Sequence, residues 1–562
     1  MSYALSSGVT GMQAHQEMLD VAGNNLANVN TTGFKASRAD FAALLSQTLS
    51  QASQPTDSVG GTNPQQIGSG VGVVSITADM TQGSIVNTGN PLDMAIEGEG
   101  YFVVSNGEQA LYTRAGAFGV DADGYLVDSA TGYRVQRIGL TGEADGFQIT
   151  GNSDIQVPYD VALPAQATSE ISFTGNLSSD AKGTEAAQIL ISNLAYTTGD
   201  GGEAMATTEI DQLDQFSGGS GTDGQLGAGQ TGTITISGYN KDGTDLTSGL
   251  TFTVAGTTTM GDLVDHLNNN VLADATASFA NGRIRITDNE TGYSRSDISL
   301  SYSGSGSLKT PAYFEISTVG GDEFQSANIA VYDTQGGKHV LSAALVRTGT
   351  TNTWDIVLTS ITGDVLHISP ESRRVSGLTF NPQSGAFSGI PDTETAQFVI
   401  SFAHDAAHTQ TIALDFGTTG SFNGLTQFAG NSTAVAREQD GYGAGNLSAV
   451  SASSDGMLVG SFTNGVKKDL ATLAVALFRN PSGLESVGGG FFVGSANSGG
   501  AVITQAMSTG AGSIHGGALE KSNADVATEF VTLIEAQNGF QANARTISVA
   551  NDILRELTNL IR

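Results

Sequence analysis

The sequence contains no cysteine among its 562 residues. Without thiols the chain has neither disulfides nor thiolate metal sites. A chain of this length predicts several domains of ordinary size, and apolar residues, at 39%, are frequent enough to form packed cores. The absence of cysteine is compatible with export from the cell but does not establish it.

Basic residues are also scarce. Lysine and arginine number 23 against 55 acidic residues, which gives a net charge of −32. Because duplex nucleic acid is bound by a basic surface, this balance argues against nucleic acid as a partner. The charge is uneven, since residues 1–50 have a net charge of −1 and residues 520–562 one of −2. The acidic middle favours contact with water, whereas the nearly neutral ends can crowd together.

Long apolar runs are missing as well. No run in the sequence is long and apolar enough to span a membrane. The N-terminus has neither the basic n-region nor the apolar h-region of a secretory signal. If the protein leaves the cell, we expect a route that requires no cleavable signal peptide.

What the sequence does contain is an apolar residue at every seventh position near both ends. These residues are Leu5, Met12, Leu19 and Leu26 at the start, and Val526, Leu533, Phe540, Ile547, Leu554 and Ile561 at the end. A seven-residue period forms one seam of a helix and requires a partner helix to cover it. We therefore predict that these ten residues form an assembly seam, through which the ends pair with each other or with neighbouring copies.

The boundaries of the two terminal helices follow from local signals. The first is predicted from Tyr3 to about Val29, although glycines at positions 8, 11 and 23 weaken it. The second is predicted to begin near Ser522, because Ser522 and Asp525 have the spacing of a capping box.

Between the helices the pattern is that of short strands joined by tight turns. Hairpin turns are predicted at Asn106-Gly107, Asp123-Gly124 and Asn464-Gly465. Apolar residues from Met260 to Leu267 predict one short helix capped near Thr259. The predicted fold class is a multidomain, mainly β protein with a terminal α-helical coiled coil and nested, discontinuous domains.

The predicted domains are nested. The chain order is helix, β region, β insert, β region and helix, so the outermost segments are expected to pair and the middle to loop outward. The four predicted domains are residues 1–70 with 505–562 (terminal helices plus a polar linker at 51–70), 71–144 with 440–504 (β-rich core), 145–185 with 315–439 (outer β domain) and 186–314 (additional inserted outer domain).

Three short motifs resemble enzyme or metal sites. Gly320-Gly321-Asp322-Glu323-Phe324 has the letters of a diguanylate cyclase loop, but its strand-like flanks favour a hairpin turn. His404-Asp405-Ala406-Ala407-His408 has zincin spacing with aspartate in place of the general-base glutamate, and a polar loop between strands is the expectation. Asp121-Ala122-Asp123-Gly124 lacks the later glutamate of an EF-hand and predicts a tight turn. We therefore predict no catalytic residues, no metal and no cofactor.

Five sets of short motifs lie toward the two ends of the chain. They are Asp20–Lys35 (DVAGNNLANVNTTGFK), Pro91–Gly98 (PLDMAIEG), Tyr112–Phe118 (YTRAGAF), Phe478–Leu484 (FRNPSGL), and the C-terminal pair LEKSNAD at 519–525 and EAQNGFQAN at 535–543. In this order they resemble the motifs of the bacterial flagellar rod and hook axial proteins. The sequence departs from the family pattern at Asn538 and Phe540, where a basic residue and tyrosine are expected, and at Ala524, where valine is expected.

Length and the outer region favour the hook members of this family. Gly175-Asn176-Leu177 and Val331–His339 (VYDTQGGKH) resemble the outer domain of hook members, whereas rod members lack a large insert and are much shorter. The resemblance implies a structural subunit that self-assembles into the flagellar hook, the curved, flexible tube that couples rod to filament and transmits torque. The implied partners are copies of the chain itself, rod and hook–filament junction proteins, the hook cap and the flagellar export apparatus.

The resemblance also implies an extracellular location, reached through flagellar type III export. We expect the terminal helices to be largely disordered before assembly and to fold on joining the polymer, because a helix with an uncovered seam is marginal in water. Another rod-like axial component is the alternative within the family. The Gly/Thr-rich middle alone is also compatible with a secreted β-rich adhesin or a glycan-acting enzyme, but neither requires heptads at both ends.

Overall fold

The computed structural model describes residues 2–57, 59–180, 185–199, 201–391 and 396–560. Contacts divide the chain into two compact units, Met1–Leu163 with Gly445–Arg562 and Pro164–Ala444. The first unit is therefore built from both ends of the chain, and the second is inserted between them. Strands dominate the chain and long helices lie at both ends, which confirms the predicted fold class.

The strands are short throughout. Before the insertion, the first unit contains β1 (Ser37–Ala43), β2 (Ser46–Ser50), β3 (Gln65–Gly68), β4 (Val71–Ala78), β5 (Ile85–Asn87), β6 (Met94–Glu97), β7 (Tyr101–Ser105), β8 (Ala110–Thr113), β9 (Phe118–Val120), β10 (Leu126–Asp128), β11 (Arg134–Val135) and β12 (Ala162–Leu163). The second unit contains β13 (Glu170–Ser178), β14 (Ile189–Ser192), β15 (Thr197–Thr198), β16 (Gly202–Glu203), β17 (Phe216–Ser217), β18 (Gly232–Tyr239), β19 (Thr251–Val254), β20 (Ala275–Ala280), β21 (Arg283–Asp288), β22 (Asp297–Gly304), β23 (Ser307–Leu308), β24 (Phe314–Thr318), β25 (Phe324–Tyr332), β26 (Lys338–Arg347), β27 (Thr353–Ile361), β28 (Val365–His367), β29 (Arg374–Phe380), β30 (Phe387–Gly389), β31 (Gln397–Phe402), β32 (Gln410–Asp415), β33 (Leu425–Phe428) and β34 (Val435–Gln439). After the insertion, the first unit continues with β35 (Gly445–Ala452), β36 (Met457–Phe462), β37 (Lys467–Thr472), β38 (Val475–Leu477), β39 (Glu485–Gly488), β40 (Phe491–Val493), β41 (Val502–Thr504), β42 (Ser513–Gly516) and β43 (Ala518–Glu520).

Three α-helices lie in the described ranges, α1 (Ser2–Ala27), α2 (Met260–His266) and α3 (Val526–Leu560). The predicted N-terminal helix is confirmed. Helix α2 and its cap are also as predicted, because the Thr259 side chain accepts the Asp262 amide and the Asp262 carboxylate accepts the Thr259 amide.

The start of α3 differs from the prediction. Asp525 caps this helix, since its carboxylate accepts the backbone amide and the hydroxyl of Thr528 at 3.0 and 2.7 Å. The predicted capping box at Ser522 is wrong, because Ser522 lies in the segment before the helix and its hydroxyl accepts the amide of Ala524 at 3.2 Å.

The first unit is completed from both sides of the insertion. A sheet of order β39-β40-β8-β7-β11-β10-β9 joins strands from the two halves, and β38 also pairs with β7. Beside it, β42 pairs with β6 and β43 with β5. The three predicted hairpin turns are confirmed, since they join the pairs β7–β8, β9–β10 and β36–β37.

Two segments of the first unit differ from their sequence-based description. Residues 51–70 are composed like a linker, yet β2 and β3 form an exposed antiparallel ribbon with Ser46 opposite Gly68. Residues 145–163 fall in the first unit by contact, whereas the sequence assigned them to the outer domain. The reason is local pairing, because the amide of Val157 donates to Gly124 at 2.7 Å and that of Leu126 donates to Ile155 at 2.9 Å.

In the second unit, the inserted residues 186–314 do not have a separate core. Buried residues of the insert, such as Ile234 and Ile284, form one apolar cluster with Ala344, Val346 and Val357 of β26 and β27. The insert therefore packs directly on the sheet of order β25-β26-β27-β29-β30.

Candidate assembly surface

The two terminal helices pack on each other in an antiparallel pair. The contacts that set this direction join Gly8 to Ile547, Gly11 to Asn543, His15 to Gly539 and Asn25 to Glu529. Residue numbers therefore rise along α1 in the direction in which they fall along α3. The last residues of α3, 551–560, are all exposed.

Small residues allow the helices to approach closely. A Cβ atom at Gly8 would lie 2.9 Å from Cγ1 of Ile547, and one at Gly11 would lie 2.7 Å from Oδ1 of Asn543. Ala536 of α3 is completely buried. Because the distance between helix axes depends on the side chains at the contact, this set of glycines and alanine fixes a narrow separation.

The predicted seam residues lie beside this contact. Leu5, Met12, Leu19, Leu26, Leu533, Phe540 and Ile547 are half-buried, Val526 and Leu554 are about 40% exposed, and Ile561 lies outside the described residues. The structure brings Ile547 against α1 at Gly8, whereas other close contacts of the pair use residues that the heptads did not mark. Their sequence signal was Gly8 and His15, which also lie seven residues apart, three positions after Leu5 and Met12.

Much of the apolar surface of α3 has no cover within the described chain. We call this set the outer apolar residues of α3. It comprises Phe530, Val531, Ile534, Val549, Ile553, Leu557 and Leu560, each of them more than one third exposed. A row of exposed large apolar side chains on one helix is typical of an interaction site rather than of a free surface.

A polar network joins the end of α1 and the start of α3 to the strands of the first unit, which we call the β unit, and we call this network the helix root. Asn25 of α1 is 2% exposed, and its side chain donates to the carbonyl of Ser37 at 2.8 Å and to the Glu529 carboxylate at 3.0 Å. Before α3, the Asn523 side chain accepts the amide of Ala36 at 2.8 Å and donates to the carbonyl of Asp79 at 2.8 Å. Burial raises the pKa of Glu529 despite its hydrogen bond from Asn25.

Three charged side chains form the centre of the helix root. The Lys35 ammonium and the Arg114 guanidinium contact the Glu520 carboxylate at 2.7 and 3.4 Å, and the three side chains are 1%, 5% and 0% exposed. Burial lowers the pKa of Lys35, and the hydrogen bond to Glu520 opposes that shift. Gly33 allows the chain to reach this point, since its φ is +68° and a Cβ would lie 2.6 Å from the Ala115 amide nitrogen.

The motifs that resemble enzyme sites have ordinary structural surroundings. The segment at Gly320 connects β24 to β25, which lie in different sheets, so the predicted hairpin turn is wrong. His404 and His408 lie in the loop between β31 and β32, as predicted, and Nδ1 of His408 lies 2.9 Å from Asp405. The carboxylate of Asp121 closes its own turn by accepting the amides of Asp123 and Tyr125.

Neither metal-binding clusters nor spanning helices occur in the described parts of the chain. No three His, Asp or Glu side chains there are grouped in a way that suits a metal ion. The helices of the same residues include none with the length and apolarity needed to cross a membrane.

Four family models match the chain in order. Residues 5–35 match "Flagella basal body rod protein", 95–179 "Flagellar hook protein FlgE/F/G D1 domain", 305–442 "Flagellar basal body protein FlaE D2 domain" and 515–560 "Flagellar basal body rod FlgEFG protein C-terminal". Together with the terminal helix pair, these matches place the chain among the structural proteins of the bacterial flagellum.

Relatives along the whole length specify the family. The flagellar hook proteins FlgE of Borreliella burgdorferi and Treponema pallidum are each 31% identical to the chain, and each alignment covers 100% of both sequences. The FlgE protein of Escherichia coli is 27% identical over 99% of this chain and 100% of its own length. The crystal structure of Helicobacter pylori flagellar hook protein FlgE2 is 18% identical, with a TM-score of 0.39 over 76% of this chain and 99% of that one. The chain belongs to the flagellar hook protein FlgE family.

Proposed function

We propose that the chain is the subunit that self-assembles into the flagellar hook, the curved, flexible tube that couples rod to filament and transmits torque. The observation that carries this proposal is the set of outer apolar residues of α3, each of them more than one third exposed in the single chain. Each of its leucine, isoleucine and phenylalanine side chains contributes about 1.5–3 kcal/mol when fully buried. Neighbouring copies supply that cover in a polymer.

The half-buried seam residues have the same role in this proposal. Leu5, Met12, Leu19 and Leu26 of α1 keep part of their surface exposed after α3 has packed, as do Leu533, Phe540 and Ile547. Neighbouring subunits complete their burial. Since so much apolar surface remains uncovered in one subunit, the helices gain most of their stability on joining the tube.

The acidic middle of the chain belongs on the outside of this tube. It carries most of the net charge, whereas residues 1–50 and 520–562 are nearly neutral. Like charges repel one another less in water than in a packed wall. The tube has no catalytic role, and its partners are other copies, rod and hook–filament junction proteins, the hook cap and the export apparatus. Its location is extracellular.

Replacing outer apolar residues tests the proposal. In cells that lack the native protein, a variant with Phe530→Asp and Ile534→Asp is expected to be exported but to form no hooks, because charges replace the surface that neighbours cover. A variant with Phe530→Leu and Ile534→Leu is the matched control, since it changes the same two exposed side chains of α3 but keeps them apolar. It alters the surface without adding a charge, and it is expected to form hooks.

Electron microscopy of cell envelopes and blotting of the culture medium measure these outcomes. Circular dichroism of the purified variants checks that the β-strands of the two units stay folded. Normal hooks from the chain with both aspartate substitutions would contradict the proposal, and absence of hooks from the native chain would exclude a hook function.

A further inference from the structure

The charged centre of the helix root is not explained by apolar assembly. A polymer held by leucine and isoleucine contacts does not require three ionised groups beneath its helices. Lys35, Arg114 and Glu520 are nevertheless almost completely buried. Burial of charges costs several kcal/mol per ion unless each is paired and hydrogen-bonded.

Every oxygen of the Glu520 carboxylate is used. Oε1 accepts Nζ of Lys35 at 2.7 Å and the amide of Gly83 at 2.8 Å, and Oε2 accepts Nη1 of Arg114 at 3.4 Å. The two bases have further acceptors, since Lys35 donates to the carbonyl of Thr81 at 2.7 Å and Arg114 to that of Gly98 at 2.8 Å. The carboxylate is therefore the shared partner of two bases.

The three charges come from three separate parts of the chain. Lys35 follows α1, Glu520 ends β43 just before α3, and Arg114 follows β8 in the β unit. A backbone hydrogen bond also joins the two terminal segments, because the amide of Gly33 donates to the carbonyl of Glu520 at 2.8 Å. Each terminal segment thus places a charge that only the other segment and the β unit neutralise.

We propose that Glu520 is a positioning residue that couples the two terminal helices, so that neither docks on the β unit without the other. This inference rests on the proposed hook function and specifies how a subunit joins the tube. If only the C-terminal segment docks, Glu520 lacks Lys35; if only the N-terminal segment docks, Lys35 and Arg114 lack their carboxylate. Half-docked subunits are therefore disfavoured, and both helices enter the wall together.

The test uses full-length chains in cells that lack the native protein. Glu520→Gln keeps the size of the side chain but removes its charge, which leaves two buried cations without a counter-ion. We expect the number of hooks per cell to fall about tenfold or more, since breaking a buried pair disfavours docking strongly. Adding Lys35→Met to Glu520→Gln removes one of the unpaired cations and is expected to restore part of the hook count. Asp40→Asn is the control, because the Arg38–Asp40 pair is exposed, with 77% and 43% of the side chains accessible.

Hydrogen exchange of isolated hooks tests the coupling itself. In the Glu520→Gln hooks that do form, or after labelled variant subunits are mixed into native hooks, peptides of α1 are expected to lose protection together with those of α3. Peptides of β7 and β8 should keep their protection.

Two results would overturn the inference. One is a hook count for Glu520→Gln equal to that of Asp40→Asn, and the other is native protection of α1 while α3 alone loosens. In both cases native chains still form hooks and the proposed function stands. If native chains form no hooks, the function itself fails.

Discussion

A glycine of α3 that lies against α1 gives a prediction that sequence periodicity would not make. Gly539 lies in the middle of α3 opposite His15 of α1. A Cβ atom at Gly539 would lie 2.7 Å from Cδ2 of the His15 ring and closer still to two other ring atoms. On one side, Phe41 of β1 lies beside this ring, with 6.1 Å between the two ring centroids.

Two opposing terms decide the outcome of Gly539→Ala. Alanine is favoured over glycine inside a helix by about 1 kcal/mol. Overpacking at a close contact costs about 1–3 kcal/mol. The Gly539→Ala variant is therefore expected to be destabilised by up to about 2 kcal/mol per subunit. The same substitution at a solvent-exposed helical site is expected to stabilise.

Gly23 supplies that exposed site. It lies in α1, and a Cβ there meets no atom within 4 Å. Gly23→Ala is expected to stabilise the helix pair by about 1 kcal/mol. Isolated hooks carrying each variant would be heated while light scattering follows their dissociation, so that the midpoint falls for Gly539→Ala and rises for Gly23→Ala.

A double substitution identifies the cause. In hooks with both Gly539→Ala and His15→Ala, the added methyl occupies space that the ring vacated, and the midpoint is expected to exceed that of either single variant. If the two effects instead add, the ring does not limit the approach of the helices and the described packing is incorrect.

Three further perturbations probe other parts of the molecule. Phe540→Asp is expected to impair assembly while residues 71–500 stay folded, as hook counts and proteolysis of the subunit would show, and normal tubes would contradict a role for the seam. Burial of Asp333 opposes its charge, but hydrogen bonds from His339 and two backbone amides outweigh burial and lower the pKa of Asp333. The stability that this carboxylate contributes is present above the usual carboxyl pKa and is lost as the pH falls through the lowered pKa. In Asp333→Asn, the melting temperature of the second unit is therefore expected to depend less on pH in the acid range. Arg373→Met leaves the buried Asp297 carboxylate without its bidentate partner and is expected to destabilise the second unit by about 3–5 kcal/mol in urea unfolding, whereas an unchanged midpoint would show that the pair does not hold the insert.

Local signals predicted the parts of the fold that depend on neighbouring residues. The cap at Thr259 and the hairpin turn at Asn106 were predicted because a few adjacent residues determine each of them. The terminal helices were predicted from their period, but the predicted start of the second helix was wrong, since both Ser522 and Asp525 are cap-forming residues and only Asp525 precedes the first helical turn.

Contacts between distant parts of the chain were not predictable in the same way. Gly539 looks like a weak point of a helix until His15 is known to lie opposite it. Glu520 and Lys35 are ordinary charged residues in sequence, and their complete burial follows from the way β43 and the N-terminal segment meet. The shared core of the insert and β26 was not predicted either. Apolar and polar residues alternate along a strand in the same way whichever neighbour its apolar face covers.

The most direct measurement is the position of the protein on the cell. Flagella released from native cells would be labelled with an antibody against residues 186–314 and examined by electron microscopy. We expect label confined to a short curved segment at the base of the filament, on its outer surface. Label on the straight rod would instead favour a rod-like component, and label away from flagella would contradict a hook function altogether.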